Sequence, residues 1–110
     1  MSRRSSELLE YVIVEHVAKI ASGLESPESA ELGILSGHYA EAVKLVGMRL
    51  RSLKDGVLTC ALCNERRGSF TPRGYYLHLL RSHHPEILDL VRQEASRIAG
   101  ASRASGPLQS

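Results

Sequence analysis

One hundred and ten residues with a net charge of +2 and a sequence pI near 8.7 suffice for one compact domain, or for a small domain with an appended module. Aromatic residues make up only 5% and tryptophan is absent, so any core must be aliphatic and modest. There is no apolar run of about 18 residues, Glu10 and Glu15 interrupt the segment that follows the charged start MSRRSSE, and both cysteines fall in one short motif, so neither a membrane span, a secretory leader nor a disulfide framework is expected. The expectation is a soluble protein of the cytoplasm, or of the nucleus in a eukaryote.

In chain order, a helix is expected from Ser5 or Ser6 to about Ser22, ended by Gly23. Leu8, Leu9, Val12, Ile13, His16, Val17 and Ile20 form its apolar surface, which needs a partner, with His16 expected as a satisfied or partly exposed histidine. Ser26-Pro27-Glu28 reads as a second helix start running to about Ser36, with Ser26 as cap and Pro27 in the first position. A third helix is expected over residues 38–54 through Ala42, Val43, Val46, Leu50 and Leu53, ended by the Asp55-Gly56 turn. GHYAEA, residues 37–42, is similar to the turn inside a tetratricopeptide repeat, but one partial match implies only a helix hairpin.

The chemistry begins at Cys60. Cys60, Cys63, His78 and His83 read as CxxC, fourteen residues, then HxxxxH. Two thiolates and two neutral imidazoles satisfy a tetrahedral zinc ion and cancel its charge, and four protein ligands close the site, as structural zinc requires. Local signals agree with this. Val57-Leu58-Thr59 is strand-like before Cys60, Gly68 offers a return turn, and Phe70 is the apolar plug of a small module. Thr71-Pro72 then opens a helix carrying both histidines, with Thr71 as N-cap and Pro72 where its missing N–H costs nothing. His84 offers an alternative last ligand; His83 is preferred because Pro85 disfavours helical geometry at His84, which reads as a helix-end cap or a phosphate contact, and Glu86 is more simply a cap.

From Cys60 to His83 the chain resembles the C2H2 zinc-finger family, and HLLRSHHPE also resembles the end of BED-type fingers, a DNA-associated branch whose upstream aromatic residues are missing here. The likeness covers residues 57 to 85. It departs from the usual pattern in three places: the gap before His78 is fourteen residues, Tyr75 replaces a leucine as the second core residue, and the Phe70–Tyr75 spacing is shorter by one. The resemblance implies a ββα unit, one zinc ion and DNA binding with a regulatory role in transcription.

Charge supports nucleic acid only locally. Residues 1–55 carry seven Lys/Arg against eight Asp/Glu, and residues 56–110 carry seven against four. The basic stretch from Arg49 to Arg81 holds Arg66, Arg67, Arg73 and Arg81, the expected nucleic-acid contacts, although a solvated face is the plainer explanation of any arginine cluster. Counted from His78, the base-reading positions of a finger helix fall on Thr71, Gly74 and Leu77, none of which reads base edges by paired hydrogen bonds. Contacts are therefore expected to be mostly to phosphates. Leu77, Leu80 and Tyr76 are assigned to packing against the N-terminal helices in preference to another protein.

An enzyme is not expected. The deaminase pattern needs HxE and a proline before CxxC, whereas Thr59 precedes Cys60 and no HxE occurs; phosphate loops, nucleophile elbows and HExxH are also missing. A last helix from Pro85 or Glu86 to about Ala99 displays Ile87, Leu88, Leu90, Val91, Ala95 and Ile98, and residues 100–110 read as a disordered tail. The expected organisation is mainly α: a helical region over 1–55, a C2H2 finger over 56–85, a C-terminal helix over 86–99, and the tail. The alternative function is a protein-interaction module with the finger as scaffold, binding a protein partner or a second copy through the first or last helix. No membrane partner is expected.

Overall fold

A computed structural model of the chain describes residues 2–28, 35, 37–63 and 69–104. Among these residues, four helices and a two-stranded sheet follow in the order α1 (Ser2–Ser22), α2 (Gly37–Leu50), β1 (Leu53–Lys54), β2 (Val57–Leu58), α3 (Pro72–Ser82) and α4 (His84–Ala104). The protein is mainly α. Among the described residues no helix is long and apolar enough to cross a membrane.

Helix α1 begins earlier than its sequence signals suggest and ends where they place it. Gly23, at φ +84, lets the Leu24 N–H reach the Lys19 carbonyl at 2.9 Å and its own N–H reach Ile20 at 3.1 Å. That pair of bonds is a Schellman closure, which needs the left-handed residue that glycine supplies without strain. His16 Nδ1 lies 3.0 Å from a Glu25 carboxylate oxygen, so this histidine is satisfied by the chain that leaves the helix. The helix expected over residues 27–36 lies mostly outside the described residues; Pro27 and Glu28 themselves form a turn.

The third expected helix is shorter than the periodicity implies. It stops at Leu50, and Leu53–Lys54 pair antiparallel with Val57–Leu58 in the register Leu53↔Leu58 and Lys54↔Val57. Asp55 and Gly56 have φ of 54 and 77, the two positive values of the tight hairpin turn that Asp-Gly favours. The dipeptide therefore reverses a strand instead of ending a helix, and Leu53 is 53% exposed where helical spacing predicts burial. A Leu58↔Phe70 bridge, closed by the Phe70 N–H on the Leu58 carbonyl at 2.9 Å, returns the chain beside β2 before α3 begins. The hairpin thus precedes both cysteines, and a single bridge flanks them where a hairpin with CxxC on its turn is expected.

One hydrophobic core runs through all four helices. Val14, Val17, Ala18 and Ile20 of α1 meet Val43 and Val46 of α2, Leu79 and Tyr75 of α3, and Ile87 and Val91 of α4. Leu58 and Cys60 join the same cluster, so the cysteine–histidine segment is packed on the helices and not tethered to them. The buried face of α1 is rotated from the expected stripe: Leu8 and Leu9 are exposed, while Val14, Ala18 and Ala21 are buried. Among the described side chains of α1, burial begins at Ile13. At Gly47 an added Cβ would stand 2.7 Å from the Ile20 side chain, so α1 and α2 pack together there where only glycine fits.

Helix α4 buries Ile87, Leu88, Val91 and Ala95, as its pattern predicts, together with Glu94. Its end differs from expectation, since it continues through Gly100 to Ala104. Ala, Ser and Arg sustain a helix, a single glycine costs only about 1 kcal/mol, and no proline intervenes before Pro107. The rest of the expected tail, residues 105–110, lies outside the described residues.

Candidate metal centre

Three short segments converge on one point. The chain leaving β2 supplies Cys60 and Cys63, α3 supplies His78, and the corner between α3 and α4 supplies His83. The local starts are as the residues dictate: the Thr71 hydroxyl accepts from the Gly74 N–H at 3.0 Å, and Pro72 takes the first helical turn. Phe70 stacks on His78 with ring centroids 4.8 Å apart and on Tyr75 at 5.6 Å, which fills the space behind the ligands.

The four donor atoms lie within 4.8 Å of one another. Cys60 Sγ is 3.5 Å from His83 Nε2, and Cys63 Sγ is 3.3 Å from His78 Nε2 and 3.4 Å from His83 Nε2. A zinc ion bound tetrahedrally at about 2.3 Å to sulfur and about 2.0 Å to nitrogen places those donors about 3.5 Å apart. The three sulfur–nitrogen separations match edges of such a tetrahedron. Neither cysteine is in a disulfide, and both imidazoles turn the same nitrogen, Nε2, to the centre. These residues are arranged to hold a metal ion, and the donor set fits zinc.

Burial suits that task. Cys60 and His83 are buried, while Cys63 and His78 are half-buried. Burial, and then the neighbouring His83, push the His78 imidazole below its ordinary value of 6.5, which favours the neutral form that binds metal.

His83 occupies an unusual backbone position. Its N–H closes α3 on the Leu79 carbonyl at 3.1 Å, and its own carbonyl accepts from the Ile87 N–H at 2.9 Å, the first bond of α4. One residue is thereby the last cap of one helix and the first cap of the next, and its ring is aimed by both. Its Nδ1 is paired with the Glu86 carboxylate. Glu86, expected only as a helix-end cap, therefore partners His83. His84 lies outside the cluster, and His83 is the histidine brought beside His78 and the two cysteines.

Tyr75 ties the centre to the rest of the fold. Its ring is fully buried, and its hydroxyl donates to the Leu50 carbonyl at 2.6 Å while accepting from the Ala61 N–H at 3.3 Å. Ala61 lies between the two cysteines. Burial raises the Tyr75 pKa above its ordinary 10.0, with the Ala61 bond opposing, so the phenol stays protonated as donor. Sequence reasoning marks Tyr75 only as a core residue; no local pattern predicts where its hydroxyl would reach.

Of the expected nucleic-acid contacts, Arg73 and Arg81 are exposed in the first and last turns of α3, and Arg66 and Arg67 lie outside the described residues. Tyr76 and Leu80 pack against the core, and the Tyr76 hydroxyl donates to Glu15 of α1 at 3.2 Å. No protein-family model, curated protein or solved structure matches the chain.

Proposed function

We propose that this chain is a single-finger zinc protein of the C2H2 type that binds nucleic acid, DNA in preference to RNA, as a regulatory factor. The observation that carries the proposal is the convergence of the Cys60, Cys63, His78 and His83 donor atoms to within 4.8 Å of one another, beside helix α3, which carries Arg73 and Arg81 outward. Four protein ligands leave a bound zinc no open position for substrate or water, which favours a structural metal and a binding protein over an enzyme.

Other arginines are occupied within the fold. Arg49 and Arg97 pair with Glu94, and Arg92 pairs with Glu10 at 2.7 Å. Arg73 and Arg81, with Arg66 and Arg67, are the cations the finger can offer to phosphates. Thr71, one of the three base-reading positions, is committed to capping α3, so binding rests on backbone phosphates with little sequence readout.

Fluorescence anisotropy with duplex DNA provides the test. Micromolar, salt-sensitive binding is expected at about 50 mM salt, falling steeply toward about 200 mM. Replacing Arg66, Arg67, Arg73 and Arg81 together should weaken binding without unfolding the chain. No binding at low salt would sink the proposal.

A second role is favoured by the packing of α3 on α1 through Tyr76 and Glu15: a protein-interaction module in which the metal unit is scaffolding. Substituting Leu8 and Leu9, both exposed on α1, would then break a complex while DNA binding stays absent.

A further inference from the structure

We infer that Glu86 is a positioning residue of the metal centre, holding the His83 imidazole as the tautomer whose Nε2 lone pair faces the ion. The inference rests on reading the cluster as a metal site. A neutral imidazole carries one N–H, so a ring that binds metal through Nε2 must keep its proton on Nδ1 and needs an acceptor there. The Glu86 carboxylate is paired with that Nδ1, while Nε2 stands 3.5 and 3.4 Å from the two sulfurs.

The corner between the helices creates this alignment. Because His83 starts α4 with its carbonyl, the residue three positions on lies in the first helical turn and can reach back over the cap. Glu86 is that residue, and Pro85 between them takes a turn position where no N–H is required. The other imidazole is fixed differently, by stacking of His78 on Phe70 at an interplanar angle of 28°. Each histidine thus has its own orienting group.

A purely structural role fits Glu86 less well. Its side chain is 53% exposed, against 10% for His83, and an exposed carboxylate pairing contributes little to folding by itself. Its value lies in what it does to the buried ring: a carboxylate behind an imidazole raises the basicity of the ligating nitrogen and fixes its direction.

The test compares zinc affinity, by competition with a chromophoric chelator, in the wild-type chain, Glu86→Ala, Glu86→Gln and Asp89→Asn. Glu86→Ala should bind zinc about 10–100-fold more weakly. Glu86→Gln should recover part of the loss, because its carbonyl oxygen still accepts from Nδ1–H. Asp89→Asn, which removes an exposed carboxylate from the same helix, should keep wild-type affinity. All four cobalt-loaded proteins should retain the intense visible bands of a four-coordinate site, since no ligand is removed. Affinity of Glu86→Ala within about twofold of wild type, or no recovery in Glu86→Gln, would overturn the assignment, set against the order-of-magnitude losses expected for such partners. Failure of the wild-type chain itself to bind zinc would overturn the metal site and the positioning role together.

Discussion

The Tyr75 hydroxyl donates a 2.6 Å hydrogen bond to the carbonyl of Leu50, the last residue of α2. The same oxygen accepts from Ala61, so one buried phenol joins the end of a bundle helix to the turn between two metal ligands. Tyr75→Phe keeps the ring and removes both bonds, leaving a carbonyl and an N–H to find other partners. The zinc-loaded variant should lose about 1–3 kcal/mol of stability in chemical denaturation while still binding zinc. A midpoint equal to wild type would show that the bonds contribute nothing.

The packing of α1 against α2 gives a paired prediction about glycine. Gly47→Ala places a methyl group 2.7 Å from Ile20, and the expected overpacking costs about 1–3 kcal/mol despite alanine's better helix propensity. Gly100, also helical, has no neighbouring atom within 4 Å of an added Cβ, so Gly100→Ala should stabilise by about 0.5–1 kcal/mol. Thermal denaturation of the two variants beside wild type checks both signs.

Glu94 links α2 to α4 and gives an acid-dependent signature. Hydrogen bonds from Arg97 hold its carboxyl below the ordinary 4.5, burial opposes this, and Arg49 at 3.1 Å adds to the depression. A group whose folded pKa is depressed stabilises fully above the unfolded value and loses that contribution as pH falls through the folded one. The stability difference between wild type and Glu94→Gln should therefore be constant near neutrality and shrink as the pH drops below 4.5. Denaturation midpoints for both proteins across that range measure it, and a difference that does not change with pH would contradict the assignment.

What the residues reveal in advance follows the range of the forces involved. Metal ligation imposes its own spacing, so Cys60, Cys63, His78 and His83 can be recognised before any fold is known, and the Thr71 cap and Phe70 plug are local enough to accompany them. Leu53 misleads because it continues the helical spacing of Val46 and Leu50, while the hairpin geometry at Asp55 and Gly56 takes precedence. Leu8 and Leu9 mislead because periodicity identifies an apolar stripe without saying how far along α1 its partners extend. The Tyr75 to Leu50 bond spans 25 residues, and the Glu86 pairing depends on His83 lying between two helices. Those relationships come from packing, which no short window of sequence contains.

The central claim is that Cys60, Cys63, His78 and His83 bind one structural zinc ion, a contribution to folding on the order of 10 kcal/mol in such sites. Elemental analysis of the purified protein tests it most directly. About one zinc per chain is predicted for the wild type and close to none for Cys60→Ser. Zinc content near zero in the wild-type protein, after purification without chelators and exposure to the metal, would contradict it.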